Sequence, residues 1–193
     1  MNEHPPLFIA IEGIDGVGKT TVGRALAKHM RAHGRPAEAW GVPLQPFRRL
    51  KRYVATDCDL NTQFLFHLTG VADASRVINT TLSSHTVICA RYIHSTLAYH
   101  RALGATLQID PGSLGIRWPD IVFYLTAADE HVRRARIARR GERDATDRLA
   151  FEKGSLPERI DAEYRRFTSL TTIETSRLTV REVIAKIMLQ LRR

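Results

Sequence analysis

Apolar positions along the chain alternate between two patterns. Phe8-Ile9-Ala10-Ile11 is a short uninterrupted run with β-branched members, the signature of a strand buried on both faces of a parallel sheet. Val22, Ala25, Leu26 and Met30 then recur at helical spacing. They predict a helix over 19–33 that stops at Gly34, a C-cap glycine. The same alternation continues to the end of the chain. A short strand is expected over 36–42, a basic helical segment over 47–58 and a long helix over 61–82. A strand over 86–90 leads into Arg91-Tyr92, followed by a helix over 95–103 that stops at Gly104. The stretch 105–118, with Pro111, Gly112 and Gly115, reads as loop. Pro119-Asp120 introduces a strand over 121–125. Helices over 128–139, 156–169 and 180–192 and a strand over 171–174 complete the chain. Repeated strand–helix alternation without internal repeats or linkers predicts a single α/β domain over 1–193. Its parallel sheet should have about five strands with helices on both faces.

Composition narrows the class. The 193 residues are 44% hydrophobic and 25% charged, a globular balance with enough length for a sizeable core. No apolar run approaches the ~20 residues of a membrane-spanning helix. Residues Met1 to Pro6 lack the basic and apolar regions of a secretory leader. The two cysteines, Cys58 and Cys89, form no C-x-x-C pair, and Cys89 lies in the apolar run Val87-Ile88-Cys89-Ala90. A buried thiol in a reduced, cytoplasmic protein is expected. The net charge of +9, from 29 Lys and Arg against 20 Asp and Glu, fits either a nucleic-acid surface or a site for a highly anionic small molecule. Aromatics are 7% and do not interleave with the basic residues. The pattern therefore lacks the base-stacking signature of a single-strand nucleic-acid binder, and neither nucleic acid nor a membrane is an expected partner.

The chemistry concentrates where the first strand meets the first helix. Gly13-x-x-x-x-Gly18-Lys19-Thr20 matches the phosphate-binding pattern G-x-x-x-x-G-K-[ST], in the strand–loop–helix context it requires. Gly13, Gly16 and Gly18 let the backbone curl and aim successive N–H groups at phosphate oxygens. The helix start adds its positive dipole end. Lys19 sets a point charge on the β- and γ-phosphates, and the Thr20 hydroxyl is the expected Mg²⁺ ligand. Gly13, Ile14, Asp15, Gly16, Val17, Gly18, Lys19, Thr20 and Thr21 thus form the expected ATP-binding element. This makes the α/β domain a P-loop NTPase fold. A second cluster follows the fourth strand: Arg136, Arg139, Arg140, Arg143 and Arg148 lie in or beside a glycine-containing connection. Arginine binds two phosphoryl oxygens at once and keeps its charge. A basic lid over about 139–150 could therefore close over the nucleotide and exclude water.

Taken in order, these elements resemble the thymidylate kinase family of nucleoside monophosphate kinases. The resemblance rests on Ile11-Glu12-Gly13-Ile14-Asp15-Gly16-Val17-Gly18-Lys19-Thr20-Thr21, on Arg91-Tyr92-x-x-Ser95-Thr96-x-Ala98-Tyr99, on Pro119-Asp120-x-x-x-Tyr124-Leu125, and on the lid-like stretch 139–148. It runs over nearly the whole chain. It implies transfer of the ATP γ-phosphoryl group to the 5′-phosphate of dTMP, or of a related nucleoside monophosphate, with Mg²⁺, in a homodimer. By position it implies that Asp15 lies near the acceptor sugar and the metal, and that Arg91 grips the acceptor phosphate. It implies that Phe66 stacks on the base and that Thr96 and Tyr99 line the acceptor pocket. Arg148, Arg143, Arg140 and Arg139 become the lid that stabilises the transferred charge.

The departures fall mainly on the acceptor side. Ala90 stands where the family has Asp before the arginine, a carboxylate that helps organise the magnesium shell unless Glu12 or Asp15 compensates. Gly70 stands where family members place a base-reading arginine. The arginine- or proline-containing element after the second strand is reduced to Val42-Pro43, without the glycine-rich segment that follows it. The lid carries a short insertion between Gly141-Glu142 and Asp147-Arg148. Two alternatives therefore accompany the leading expectation. One is a divergent kinase acting on a nucleoside or another small molecule of specialised metabolism. The other is a nucleotide-binding protein with little catalysis.

Overall fold

A computed structural model describes residues 5–139 and 155–192. Five parallel strands are ordered β2-β3-β1-β4-β5: β1 Phe8–Glu12, β2 Ala37–Gly41, β3 Thr86–Ala90, β4 Ile121–Thr126 and β5 Leu170–Glu174. The helices are α1 Lys19–Ala32, α2 Phe47–Asp57, α3 Leu60–Thr81, α4 Ile93–Leu103, α5 Glu130–Ala138, α6 Leu156–Arg165 and α7 Val180–Gln190.

The central strands are apolar because both of their faces are covered. Ile9 and Ile11 of β1, with Ile88, Phe123 and Leu125, pack under α1 and α7 through Leu26, Met30, Val183 and Ile187. Phe8 and Ala10 point the other way, with Val87, Cys89 and Val122, against Phe64, Leu68, Val71 and Ile78 of α3 and Ile93 and Leu97 of α4. α6 adds Leu156, Ile160 and Tyr164 beside Ala98, Tyr99 and Tyr124. Burying such side chains contributes ~1.5–3 kcal/mol each. Across the sheet the register is Gly41↔Ala90 and Ala90↔Ile11. The carboxyl ends of β2, β3 and β1 therefore line up at one edge, where ligands bind in open α/β sheets.

The strand and helix order follows the sequence pattern, with differences at element ends. α4 starts at Ile93 rather than near Ser95, because its first turn is capped from another element: Glu12 of β1 accepts hydrogen bonds from the Tyr92 N–H at 2.8 Å and from the Ser95 hydroxyl. α6 ends at Arg165 rather than continuing to 169, and Phe167 beyond it turns inward onto His94. The expected loop over 105–118 contains one 3₁₀ turn, Pro111–Leu114, capped by Asp110. Among the described residues no helix is long and apolar enough to cross a membrane.

Candidate active site

The loop between β1 and α1 is held in a conformation that glycine permits. Gly13 and Gly16 have φ of 138° and 86°. A Cβ at Gly13 would lie 2.3 Å from the Leu125 carbonyl oxygen, and one at Gly16 would lie 2.6 Å from Arg133 Cγ. Both positions therefore need a residue without a side chain, for backbone angle and for space. The loop is also braced from behind. Arg136 donates to the Thr175 carbonyl at 2.9 Å and to its hydroxyl at 3.2 Å, and that hydroxyl sits between the Thr126 carbonyl at 2.8 Å and the Val17 carbonyl of the loop at 3.1 Å, sharing its one proton between them. Arg136, read from sequence as part of the phosphate-facing cluster, is thus a brace for the loop. Arg139 lies exposed at the end of α5. Arg140, Arg143 and Arg148 fall outside the described residues.

Lys19 opens α1 and is almost fully buried. Its ammonium donates to the Ile14 carbonyl at 2.6 Å and stands 3.9 Å from Asp15 Oδ1. Thr20 and Thr21 face outward at the same helix end. Asp15, inside the loop, joins the P-loop to β3. Arg91 pairs with Asp15 Oδ1, and the Tyr99 hydroxyl donates to Asp15 Oδ2 at 2.8 Å while accepting from Arg91 at 3.1 Å. The Arg91 guanidinium also sits 4.6 Å from the Tyr99 ring centroid, a cation–π contact. Burial pushes the Asp15 carboxyl up, but the Arg91 and Lys19 charges and the Tyr99 hydrogen bond outweigh it, holding it well below the usual carboxylate range. Burial also disfavours the Arg91 charge, yet Asp15 more than restores it, so Arg91 stays protonated. Burial is the first reason the Tyr99 hydroxyl stays protonated as well.

Arg91 has φ of 71°, the one positive value outside glycine among the described residues. A left-handed backbone costs a residue with a side chain roughly 1–2 kcal/mol. Such strain persists where surrounding contacts over-determine it, and it clusters at functional sites.

Sequence reasoning did not find the layer beneath this triad. Glu12 is fully buried. Besides capping α4 it lies 3.2 Å from the Tyr164 hydroxyl, which is 2.7 Å from the Ser95 hydroxyl. His94 Nδ1 stands 3.8 Å from Glu12, and burial keeps the ring's pKa below its ordinary value. The one available signal was a carboxylate ending an otherwise wholly apolar strand. Glu12 and Asp15 are both engaged within the protein, so neither carboxylate stands free to replace the one missing at Ala90. Among the described residues no cluster of three His, Cys, Asp or Glu side chains is arranged to hold a metal ion. Mg²⁺ characteristically keeps several waters and takes phosphate oxygens as ligands. The outward-facing Thr20 hydroxyl suits that mode.

The residues expected on the acceptor side, Phe66, Thr96 and Tyr99, lie on α3 and α4. Thr96 is buried, with its hydroxyl 3.3 Å from the Tyr92 carbonyl, one turn back in its own helix. Phe66 is half-buried, its ring 6.3 Å from that of Phe47 and edge-on to His67. Its neighbour Phe64 is core, stacked on His100 at 4.9 Å. Gly70 is filled from outside: a Cβ there would lie 2.7 Å from Pro43 Cβ. The shortened connection after β2 therefore docks directly on α3, and position 70 has no room for a longer side chain. Gly70→Ala is expected to cost about 1–3 kcal/mol through overpacking, read as a lowered urea midpoint. An unchanged midpoint would mean that Pro43 yields freely.

The glycine loop, the lysine at the helix start and the parallel sheet with its ligand edge define a P-loop nucleotide-binding protein. A family model for thymidylate kinase matches residues 11–187. The thymidylate kinase of Desulfotalea psychrophila is 31% identical over 167 residues, covering 83% of this chain and 81% of that protein. That of Acinetobacter baylyi is 28% identical over 186 residues, covering 89% and 90%. A solved structure of thymidylate kinase from Candida albicans shares the fold, with a TM-score of 0.71 at 15% identity over 97% of this chain and 92% of that one. The chain belongs to the thymidylate kinase family of nucleoside monophosphate kinases.

Proposed function

We propose that the protein, as one kinase domain, transfers the γ-phosphoryl group of ATP to the phosphate of dTMP or a closely related nucleoside monophosphate, giving the diphosphate. The observation that carries this reading is the Asp15–Arg91–Tyr99 triad, which fixes a guanidinium at the sheet edge beside the P-loop lysine. Donor phosphates wrapped by the loop meet Lys19, and an acceptor phosphate bound at Arg91 lies next to them. No covalent intermediate is needed. Positioning two polyanions and offsetting their charge is the main task in phosphoryl transfer. Mg²⁺ would be held by Thr20 together with the nucleotide's own phosphate oxygens and would supply further positive charge there. Arg139, and by the family resemblance Arg140, Arg143 and Arg148, offset the charge of the donor phosphates in this reading. Phe66, Thr96 and Tyr99 hold the acceptor. The same reading carries a homodimer in the cytoplasm acting on free nucleotides rather than nucleic acid.

A second reading keeps the chemistry and changes the acceptor. It is favoured by Pro43 filling the space at Gly70. One experiment separates the two: ADP release from Mg-ATP against dTMP, dUMP, other monophosphates and free nucleosides. Turnover with dTMP of about 1–100 s⁻¹, ordinary for kinases, is expected. Turnover only with a nucleoside or a non-nucleotide acceptor would establish the second reading. ATP binding without turnover on any acceptor would leave a non-catalytic role.

A further inference from the structure

Two consecutive residues of β1 pin the backbone on either side of Arg91. β1 and β3 run in register with Ile11 beside Ala90, so Glu12 and Arg91 come next on the two chains. The Arg91 N–H donates to the Ile11 carbonyl at 3.1 Å, and the Tyr92 N–H donates to Glu12 Oε1 at 2.8 Å. The left-handed residue lies between these two bonds. Such a backbone persists in a residue with a side chain only where its surroundings over-determine it. Ala90, directly before it, has no polar side chain to contribute.

The Glu12 carboxylate also supplies what the start of α4 lacks. That helix end has no side-chain cap from Tyr92 and no acidic residue in its first turn. A carboxylate placed there satisfies an N–H and complements the positive end of the helix dipole. Glu12 is itself held fast. Its Oε2 accepts from the Ser95 hydroxyl and from the Tyr164 hydroxyl of α6, the latter at 3.2 Å. A fully buried carboxylate needs such partners. Gly13, the next residue, opens the phosphate loop. One short stretch of chain therefore holds the Arg91 backbone through Glu12 and its guanidinium through Asp15.

We propose that Glu12 is a positioning residue for phosphoryl transfer. By taking the Tyr92 N–H and capping α4 it keeps Arg91 in its left-handed conformation and so aims the guanidinium. This rests on the phosphoryl-transfer reading above. Glu12 touches no substrate. It ties Arg91 to the segment that carries the donor site, so that the two phosphate-binding groups keep one spacing.

The test is steady-state ADP release by the full chain, with dTMP and ATP varied in turn. Glu12→Met keeps the length and loses the acceptor. It is expected to lower kcat/KM for dTMP by about tenfold or more, with the ATP KM within about threefold. Glu12→Gln should return to within about threefold of wild type, because its amide oxygen can take the Tyr92 N–H while its NH₂ donates to the Ser95 hydroxyl. The Arg91→Ala background separates positioning from general support of the fold. There Glu12→Met should change the residual kcat/KM by less than about twofold, since the group it acts through is gone. A residue that only supports the fold would give the same loss in both backgrounds. Cooperative thermal unfolding checks that each variant is folded. If Glu12→Met does not fold, Glu12→Asp takes its place with the same expectations: it keeps the charge and withdraws the carboxylate by one methylene.

Amide hydrogen exchange gives a readout independent of turnover. The Tyr92 N–H should be protected in wild type and Glu12→Gln and exchange about tenfold faster or more in Glu12→Met. Three results overturn the proposal and leave the kinase reading intact: a dTMP kcat/KM within threefold of wild type in the folded Met or Asp variant, a Gln variant as impaired as Met, or a loss that multiplies with that of Arg91→Ala. If wild type neither binds nor phosphorylates any nucleoside monophosphate, the functional reading falls first and this proposal with it.

Discussion

Replacing Lys19 with alanine is expected to lower kcat/KM for phosphoryl transfer by a factor of about 10²–10³ or more, the scale seen when a single aimed charge or donor is lost from a transition state. Its ammonium is buried at the start of α1, held by the Ile14 carbonyl and near Asp15. That position is set by the loop glycines and cannot be supplied from elsewhere in the described chain. The fold should survive. The Ile14 carbonyl loses one donor, worth about 1 kcal/mol, while Asp15 keeps Arg91 and Tyr99. Native stability is typically ~5–15 kcal/mol, so thermal unfolding should remain cooperative. Lys19→Met, which keeps the apolar stem, should be as inactive and closer to wild type in stability. Lys19→Arg should not rescue turnover, because a planar fork does not fit where a compact ammonium sits. Turnover within tenfold of wild type in Lys19→Ala would remove the P-loop from the mechanism.

Two features of the chain were legible for a shared reason. The strands at 86–90 and 121–125 and the first strand are covered on both faces, so their apolar runs are unbroken and carry their own signal. The phosphate loop is local, with glycines, lysine and threonine all within one turn of chain. What stayed hidden is held by contacts across the sequence. Arg91 and Asp15 are 76 positions apart, Ser95 and Glu12 are 83 apart, and Tyr164 and Glu12 are 152 apart. The start of α4 carries no local signal because its cap comes from Glu12 of β1 rather than from the residues before it. A charge run does not reveal partners, so Arg136 groups by sequence with the phosphate-facing arginines, and Thr175, its partner in the fold, has no pattern of its own. Gly70 appeared as the loss of an arginine. In the fold it is a contact point for Pro43, a relation that neither position signals alone.

Asp15→Asn is expected to cost about 3 kcal/mol of stability, the low end for breaking a buried pair, because the Arg91 side chain remains 28% exposed. It should also depress turnover, since Arg91 would keep its strained backbone and lose the carboxylate that aims it. The pH dependence separates charge pairing from packing. The folded-state pKa of Asp15 lies below the unfolded value of about 3.9. The carboxylate's contribution is therefore fully present above about pH 4 and is lost as the pH falls from there toward the folded value, at roughly 1.4 kcal/mol per pH unit. Asparagine cannot titrate, so the variant lacks that component of the acid slope. Urea denaturation of both proteins from neutral pH downward should show a constant stability gap that narrows below about pH 4. A gap that persists unchanged into that range would mean that Asp15 acts through shape and hydrogen bonding alone. Arg91 would then owe its position to Tyr99 and the backbone, and Tyr99→Phe would become the more damaging substitution of the two.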